Sequence, residues 1–270
     1  MKENIFNDKI YYRTNEFNRE RNTLVFVHGV CGSSSAWWEF EKKLTDKYNI
    51  VAIDIRGHGK SKRFREYDDY KIENFSNDLF ELINFLEIKK FIIISHSFGS
   101  FISLDFIAKH SEYLKAAIFL SPNFNASLMP EAKMAKPFLS LLTKIKFPIS
   151  STKKRKHLDY LADYPNSGDF NMKRTIADVS NTSLRTYLYC MKQTFSFNGE
   201  DVLGKINFPV LIIHGKEDTI FPIKYGELMA SKIKDSKMIK LDNVCHEIKD
   251  SMITIDKISN TMKEFLEGIK

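Results

Sequence analysis

Six short apolar runs constrain this chain more than any other feature. Residues 23–27, 48–53, 91–94, 116–120, 210–213 and 238–241 are four to six residues long and rich in β-branched and aromatic side chains. Stretches of helical period lie between them, at 33–46, 73–87, 98–108 and 255–265. In 73–87, for example, Phe75, Leu79, Leu82, Ile83 and Leu86 fall on one stripe. A strand that is apolar on both sides must be covered on both sides. Strands that alternate with helices are laid down parallel. The expected fold is therefore α/β, with a mostly parallel central sheet and helices on both faces. Residues 2–13 read as a strand or hairpin turning at Asn7-Asp8.

The rhythm fails once, between Pro122 and Phe208. There Pro130, Pro137, Pro148 and Pro165 divide short amphipathic helical stretches. The expected organisation is a core of residues 1–122 and 208–270, with 123–207 forming a helical cap laid over the strand ends. The net charge of +7 is also local, because 129–160 holds eight basic and two acidic residues. Three readings of that segment stand side by side: a solvated lysine face, a lure for an anionic substrate, or a weak contact with an anionic membrane surface. Nucleic-acid binding is not expected, since Lys153, Lys154, Arg155 and Lys156 have no interleaved aromatic residues. Residues 1–21 are too polar for a signal peptide, and no apolar run is long enough to span a bilayer. The three cysteines, Cys31, Cys190 and Cys245, are scattered and odd in number, which favours a reducing compartment and a cytoplasmic location.

The chemistry is concentrated at the end of the third run. Phe91-Ile92-Ile93-Ile94 leads into Ser95-His96-Ser97-Phe98-Gly99, and a helical pattern follows at once. A serine on so tight a strand-to-helix turn is pushed clear of the backbone, within reach of a base. The same turn aims an N–H and the positive end of a helix at the reacting oxygen. A serine-rich helix cap uses the same residue types, so the other parts of the chain must decide. The turn resembles the nucleophile elbow of the α/β-hydrolase family, with Ser95 in place of the usual first glycine.

Three further stretches extend the resemblance, which covers residues 20–122 and 208–270. Val210-Leu211-Ile212-Ile213-His214-Gly215-Lys216-Glu217-Asp218 matches the family's acid-bearing strand end, with Asp218 in register and Glu217 one residue early. Asn243-Val244-Cys245-His246-Glu247 matches the loop that presents the histidine. His28-Gly29-Val30-Cys31-Gly32-Ser33 resembles the oxyanion loop. The resemblance implies Ser97 as nucleophile, His246 as base, Asp218 as its orienting acid, and the N–H groups of Val30 and Phe98 as oxyanion donors. Asp54-Ile55-Arg56-Gly57-His58-Gly59-Lys60-Ser61 matches a further family signature and reads as structural, with Arg56 and Asp54 in internal pairing. The other histidines read as structural too: His28 and His214 as loop holders, His58 and His96 as turn fillers, His110 as a helix-end cation, and His157 as part of the basic segment.

By the same resemblance the chain is a serine esterase acting on a small or hydrophobic carboxylic ester through an acyl-enzyme, with no metal or organic cofactor. A serine at 97 argues against the branches whose nucleophile is an aspartate. Phe124, Met129, Phe138, Leu142 and Tyr187 are the expected pocket lining. Fold and triad alone leave open a ligand receptor with slow hydrolysis, an acyltransferase, a perhydrolase or a carbon–carbon hydrolase.

Overall fold

A computed structural model describes residues 1–145, 147 and 155–269. Pro148, Lys146, Lys153 and Lys154 lie outside the described residues. The strands are β1 (Lys2–Phe6), β2 (Ile10–Thr14), β3 (Thr23–Val27), β4 (Asn49–Ile53), β5 (Phe91–His96), β6 (Leu114–Leu120), β7 (Val210–Gly215) and β8 (Ser236–Leu241). They form one sheet in the order β1-β2-β4-β3-β5-β6-β7-β8. The β1–β2 hairpin and the β2–β4 pair are antiparallel, and every other pair is parallel. This is the mostly parallel α/β sheet that the alternating pattern requires.

The helices are α1 (Trp38–Leu44), α2 (Ile72–Phe85), α3 (Gly99–His110), α4 (Ala132–Leu142), α5 (Tyr160–Asp163), α6 (Met172–Thr182), α7 (Leu184–Ser196), α8 (Glu200–Leu203), α9 (Lys224–Lys232) and α10 (Met252–Glu267). Alternate residues of each central strand enter opposite cores. Val25, Val27 and Ile93 pack with Leu79 and Ile83 of α2, Phe101 of α3 and Met229 of α9. Leu24, Phe26, Ile92 and Ile94 pack with Trp37, Phe40 of α1, and Ile255 and Ile258 of α10. Each such side chain contributes about 1.5–3 kcal/mol of burial, so a polar residue on either side of β5 would be costly. Among the described residues, no helix is long and apolar enough to cross a membrane.

Between β6 and β7 the described chain carries helices α4 to α8 and no strand. Two residues of the basic segment are used internally here. Arg155 donates to the Ser61 carbonyl. His157 Nε2 lies 2.8 Å from Asp54 Oδ2, and Asp54 also accepts from the backbone of Ser34 at 2.6 Å and Lys60 at 2.8 Å. Burial works to raise the Asp54 carboxyl, but His157, His28 and these donors hold it at about 2. Arg56 pairs elsewhere, gripping both oxygens of Asp78 at 2.6 and 2.7 Å. So both residues of the Asp54–Arg56 signature are paired inside the protein, with different partners.

The expected boundaries fit most elements to within a few residues, but α9 has no counterpart in the sequence reading. Its pattern is broken by Gly226, which the tertiary structure needs: a methyl group there would lie 2.4 Å from His214 Nδ1. Gly99 is under a similar constraint, because its Cβ would meet the Val27 carbonyl oxygen at 2.6 Å. Both atoms at that contact are backbone or fixed to it, so the chain must shift to admit a methyl. Gly99→Ala is therefore expected to cost about 1–3 kcal/mol in urea unfolding; an unchanged midpoint would show that α3 does not pack on β3 as described.

Candidate active site

The chain leaves β5 through Ser97, which sits at φ 54°, in the left-handed region. A residue with a Cβ adopts this conformation only when its surroundings hold it there. The Ser97 N–H donates to the Leu120 carbonyl at the end of β6, 3.1 Å away, and Ser100 N–H donates to the Ser97 carbonyl at 2.8 Å. The Ser100 hydroxyl adds a second bond to that carbonyl at 2.6 Å. Gly29 packs closely opposite, where a Cβ would lie 3.1 Å from Ser97 Cβ. The turn thus presents Ser97 Oγ beyond the C-terminal edge of the sheet.

There it meets residues from two other strand ends. Ser97 Oγ lies 2.7 Å from His246 Nε2, and His246 Nδ1 lies 2.8 Å from Asp218 Oδ2. A carboxylate only accepts, so His246 carries its proton on Nδ1 and Nε2 accepts from the serine hydroxyl. Asp218 follows β7 and is oriented by the Ile220 and Phe221 N–H groups, 3.0 and 2.7 Å from Oδ1. Burial works to raise its carboxyl, but the charge and hydrogen bond of His246, with the bond from His214, hold it far below the usual carboxylate range. Burial pulls the His246 imidazole down, and Asp218, Glu247 and Asp169 outweigh it, so His246 titrates above its ordinary 6.5.

Val30 lines the cavity above Ser97, and Phe98 stands at the N-terminus of α3. Among the described residues, no backbone acceptor takes the N–H of either. Glu217, the rival to Asp218, accepts from the Val244 N–H at 2.9 Å and so ties the two loops together.

Two histidines read as structural in the sequence prove to frame this chain of bonds. His214 Nε2 donates to the Phe221 carbonyl at 2.8 Å and lies 3.1 Å from Asp218 Oδ2. His96 Nε2 donates to the carbonyl of His246 at 3.0 Å. Burial pushes His96 down to about 3, so it stays neutral and adds no charge beside His246. His28 is also neutral, pushed by burial to about 4. It accepts from Ile55 N–H at 3.1 Å and donates to Gly29 O at 2.7 Å, which fixes the loop before Val30.

A residue from the β6–β7 segment completes the frame, and nothing in the sequence pattern marked it. Asp169 Oδ1 accepts from the N–H of His246 at 2.7 Å and of Glu247 at 3.3 Å. Its Oδ2 accepts from Thr219 N–H at 2.9 Å and Thr219 Oγ1 at 2.6 Å. One carboxylate therefore bridges the His246 loop and the loop that carries Asp218. Arg174 of α6 holds the turn that presents it, donating to the Gly168 carbonyl at 2.6 Å and the Asp169 carbonyl at 3.1 Å.

The cavity opening on Ser97 and His246 has a volume of ≈ 220 Å³. One wall is apolar, with Val30, Val179, Tyr187, Met191 and Ile220. The other carries Arg174, Asp178, Glu247 and Lys249. Glu247 is held at about 2 against the effect of burial by Lys249 and Arg174, while burial pushes Asp178 up to about 6. Of the five residues expected to line the pocket, this cavity takes Tyr187. Phe124 and Met129 are buried in the core instead, and Leu142 packs against it. Phe138 points outward and is exposed. The helical walls of this cavity come from α6 and α7 rather than α4, and one of its walls is charged.

Asp169 lends negative charge as well as hydrogen bonds to His246. Asp169→Asn is expected to lower the pH at which the His246 ring titrates, followed by its imidazole NMR signals. An unchanged titration would mean that Asp169 does not face the His246 loop as described.

A family model for the alpha/beta hydrolase fold matches residues 22–251. The chain is 24% identical over 266 residues to YugF, an uncharacterised hydrolase of Bacillus subtilis, covering 96% of this chain and 94% of that one. Among solved structures it resembles MGS-M2, an alpha/beta hydrolase enzyme from a Medee basin deep-sea metagenome library (TM-score 0.78, 19% identity, 100% of this chain and 98% of that one). It also resembles a thermophilic esterase from Thermogutta terrifontis (TM-score 0.73, 17% identity, 96% and 93%).

Proposed function

The chain belongs to the alpha/beta hydrolase fold family, and from that premise we propose that it is a serine hydrolase of small carboxylic esters. One observation carries the reading: the continuous bond path Ser97–His246–Asp218, at 2.7 and 2.8 Å, opens on the cavity. A hydroxyl within reach of a neutral imidazole, itself held by a carboxylate, is an activated nucleophile.

In this reading His246 Nε2 takes the Ser97 proton as Oγ attacks the ester carbonyl carbon. The carbonyl oxygen becomes an oxyanion and is met by the N–H groups of Val30 and Phe98; one such donor is worth roughly 3 kcal/mol in the transition state. The C–O bond breaks, and His246 passes the proton to the leaving alcohol. Water then gives its proton to His246 and attacks the acyl carbon, and Ser97 leaves with that proton restored. The cavity, at ≈ 220 Å³, is below the range usual for drug-sized ligands, which supports a short acyl group.

A panel of p-nitrophenyl esters of rising chain length tests this. Acetate and butyrate esters are expected to turn over many times, and Ser97→Ala to lower the rate by about 10³-fold or more. Loss of activity in Ser95→Ala with Ser97→Ala unaffected would move the nucleophile. A single stoichiometric burst without turnover would favour a ligand receptor of the same fold.

The pH profile follows from His246. Its neutral form is the base, and its titration lies above 6.5. The kcat/KM of the acetate ester is therefore expected to fall on acidification with a midpoint above 6.5; a flat profile down to about pH 5 would exclude His246 as base.

A further inference from the structure

The outer face of α4 is apolar where a solvent-facing helix is normally polar. Met134, Phe138, Leu141 and Ile145 are 81%, 60%, 62% and 48% exposed. Their spacing of four, three and four places them on one stripe along α4 and the turn after it. The opposite face is already satisfied: Ala132 and Leu139 are buried, and Leu142 packs against the core. The stripe is therefore not an inner surface turned outward by chance. A contiguous patch of this kind marks an interaction surface.

The charge beside it selects the partner. Lys133, Lys136 and Lys144 are all exposed along the same segment, with Glu131 as the one exposed acid from 131 to 145. A second copy of the chain docked stripe to stripe would set these lysines against one another. An anionic lipid surface offers what they lack, an apolar layer for the stripe and phosphates for the ammonium groups. Lysine stems reach along apolar surface while their heads stay with the headgroups.

We infer that α4 is a membrane-docking helix that lays Met134, Phe138, Leu141 and Ile145 into the surface of an anionic bilayer, with the flanking Lys133 and Lys144 on its phosphates. The inference rests on the exposed stripe and its lysines, not on which substrate the cavity takes. It can be read by binding alone.

The test is co-sedimentation of the full chain with vesicles of phosphatidylcholine alone and of an equimolar mixture with phosphatidylglycerol. The protein is expected to pellet with the mixed vesicles, to stay in solution with phosphatidylcholine alone, and to be released by salt. The Phe138→Asp, Leu141→Asp double variant is expected to stay in solution at an unchanged melting temperature. The Lys133→Glu, Lys144→Glu double variant is expected to bind the mixed vesicles about tenfold more weakly or worse. Both pairs are exposed, so either variant can report if the other fails to fold. Absence of pelleting with mixed vesicles would overturn the inference. So would pelleting that both folded variants retain, or a dimer dissolved by Phe138→Asp, Leu141→Asp with no vesicle binding, which would make the stripe a self-association face.

Discussion

The site depends on how the chain leaves β5. Ser97 can project its hydroxyl only in a left-handed backbone conformation, at φ 54°, which costs of order 1–3 kcal/mol for a residue with a side chain. The sheet meets that cost. Parallel pairing with β6 supplies the Leu120 carbonyl to the Ser97 N–H, and pairing with β3 brings Gly29 close opposite the serine and the Val27 carbonyl so near Gly99 that a side chain there would force the backbone to shift. The apolar strands are thus more than a core. Their register is what holds a strained residue in place at the edge where β3, β5, β6 and β7 end together.

Charge at that edge is arranged by burial. Several histidines crowd the region, and if all were protonated they would repel one another and depress His246. Burial keeps His28 and His96 neutral, so they act as hydrogen-bonding spacers. The carboxylates of Asp218 and Asp169 then favour a proton on His246. Asp169 carries this beyond the core, because it reaches the His246 loop and the Asp218 loop at once from the β6–β7 segment. Placement of those helices and alignment of the bond path are therefore one structural problem.

What was legible in the sequence has a physical pattern. Strand–turn–helix transitions are local, so the stretch from Phe91 to Gly99 and the run ending in His214-Gly215 could be read directly, and chain order then placed Asp218 and His246. Residues whose role depends on distant packing were not legible. His96 looks like a turn filler, and His214 like a loop holder with no tie to Asp218, until the strand ends converge. Asp169 lies in a proline-punctuated segment with no period to mark it. The pocket lining went astray for the same reason: α4 has apolar residues on both faces, so composition could not say that Phe138 turns outward while Tyr187 turns in.

Acylation of Ser97 can be judged against the other side chains of the cavity that could take an acyl group, among them Cys31, Tyr187 and Lys249. Rapid acid quench of the enzyme during turnover of p-nitrophenyl butyrate, followed by peptide mass mapping, reads the adduct directly. One butyryl group per chain is expected on the peptide that contains Ser97. A butyryl group on Cys31, or turnover with no adduct on Ser97, would contradict it.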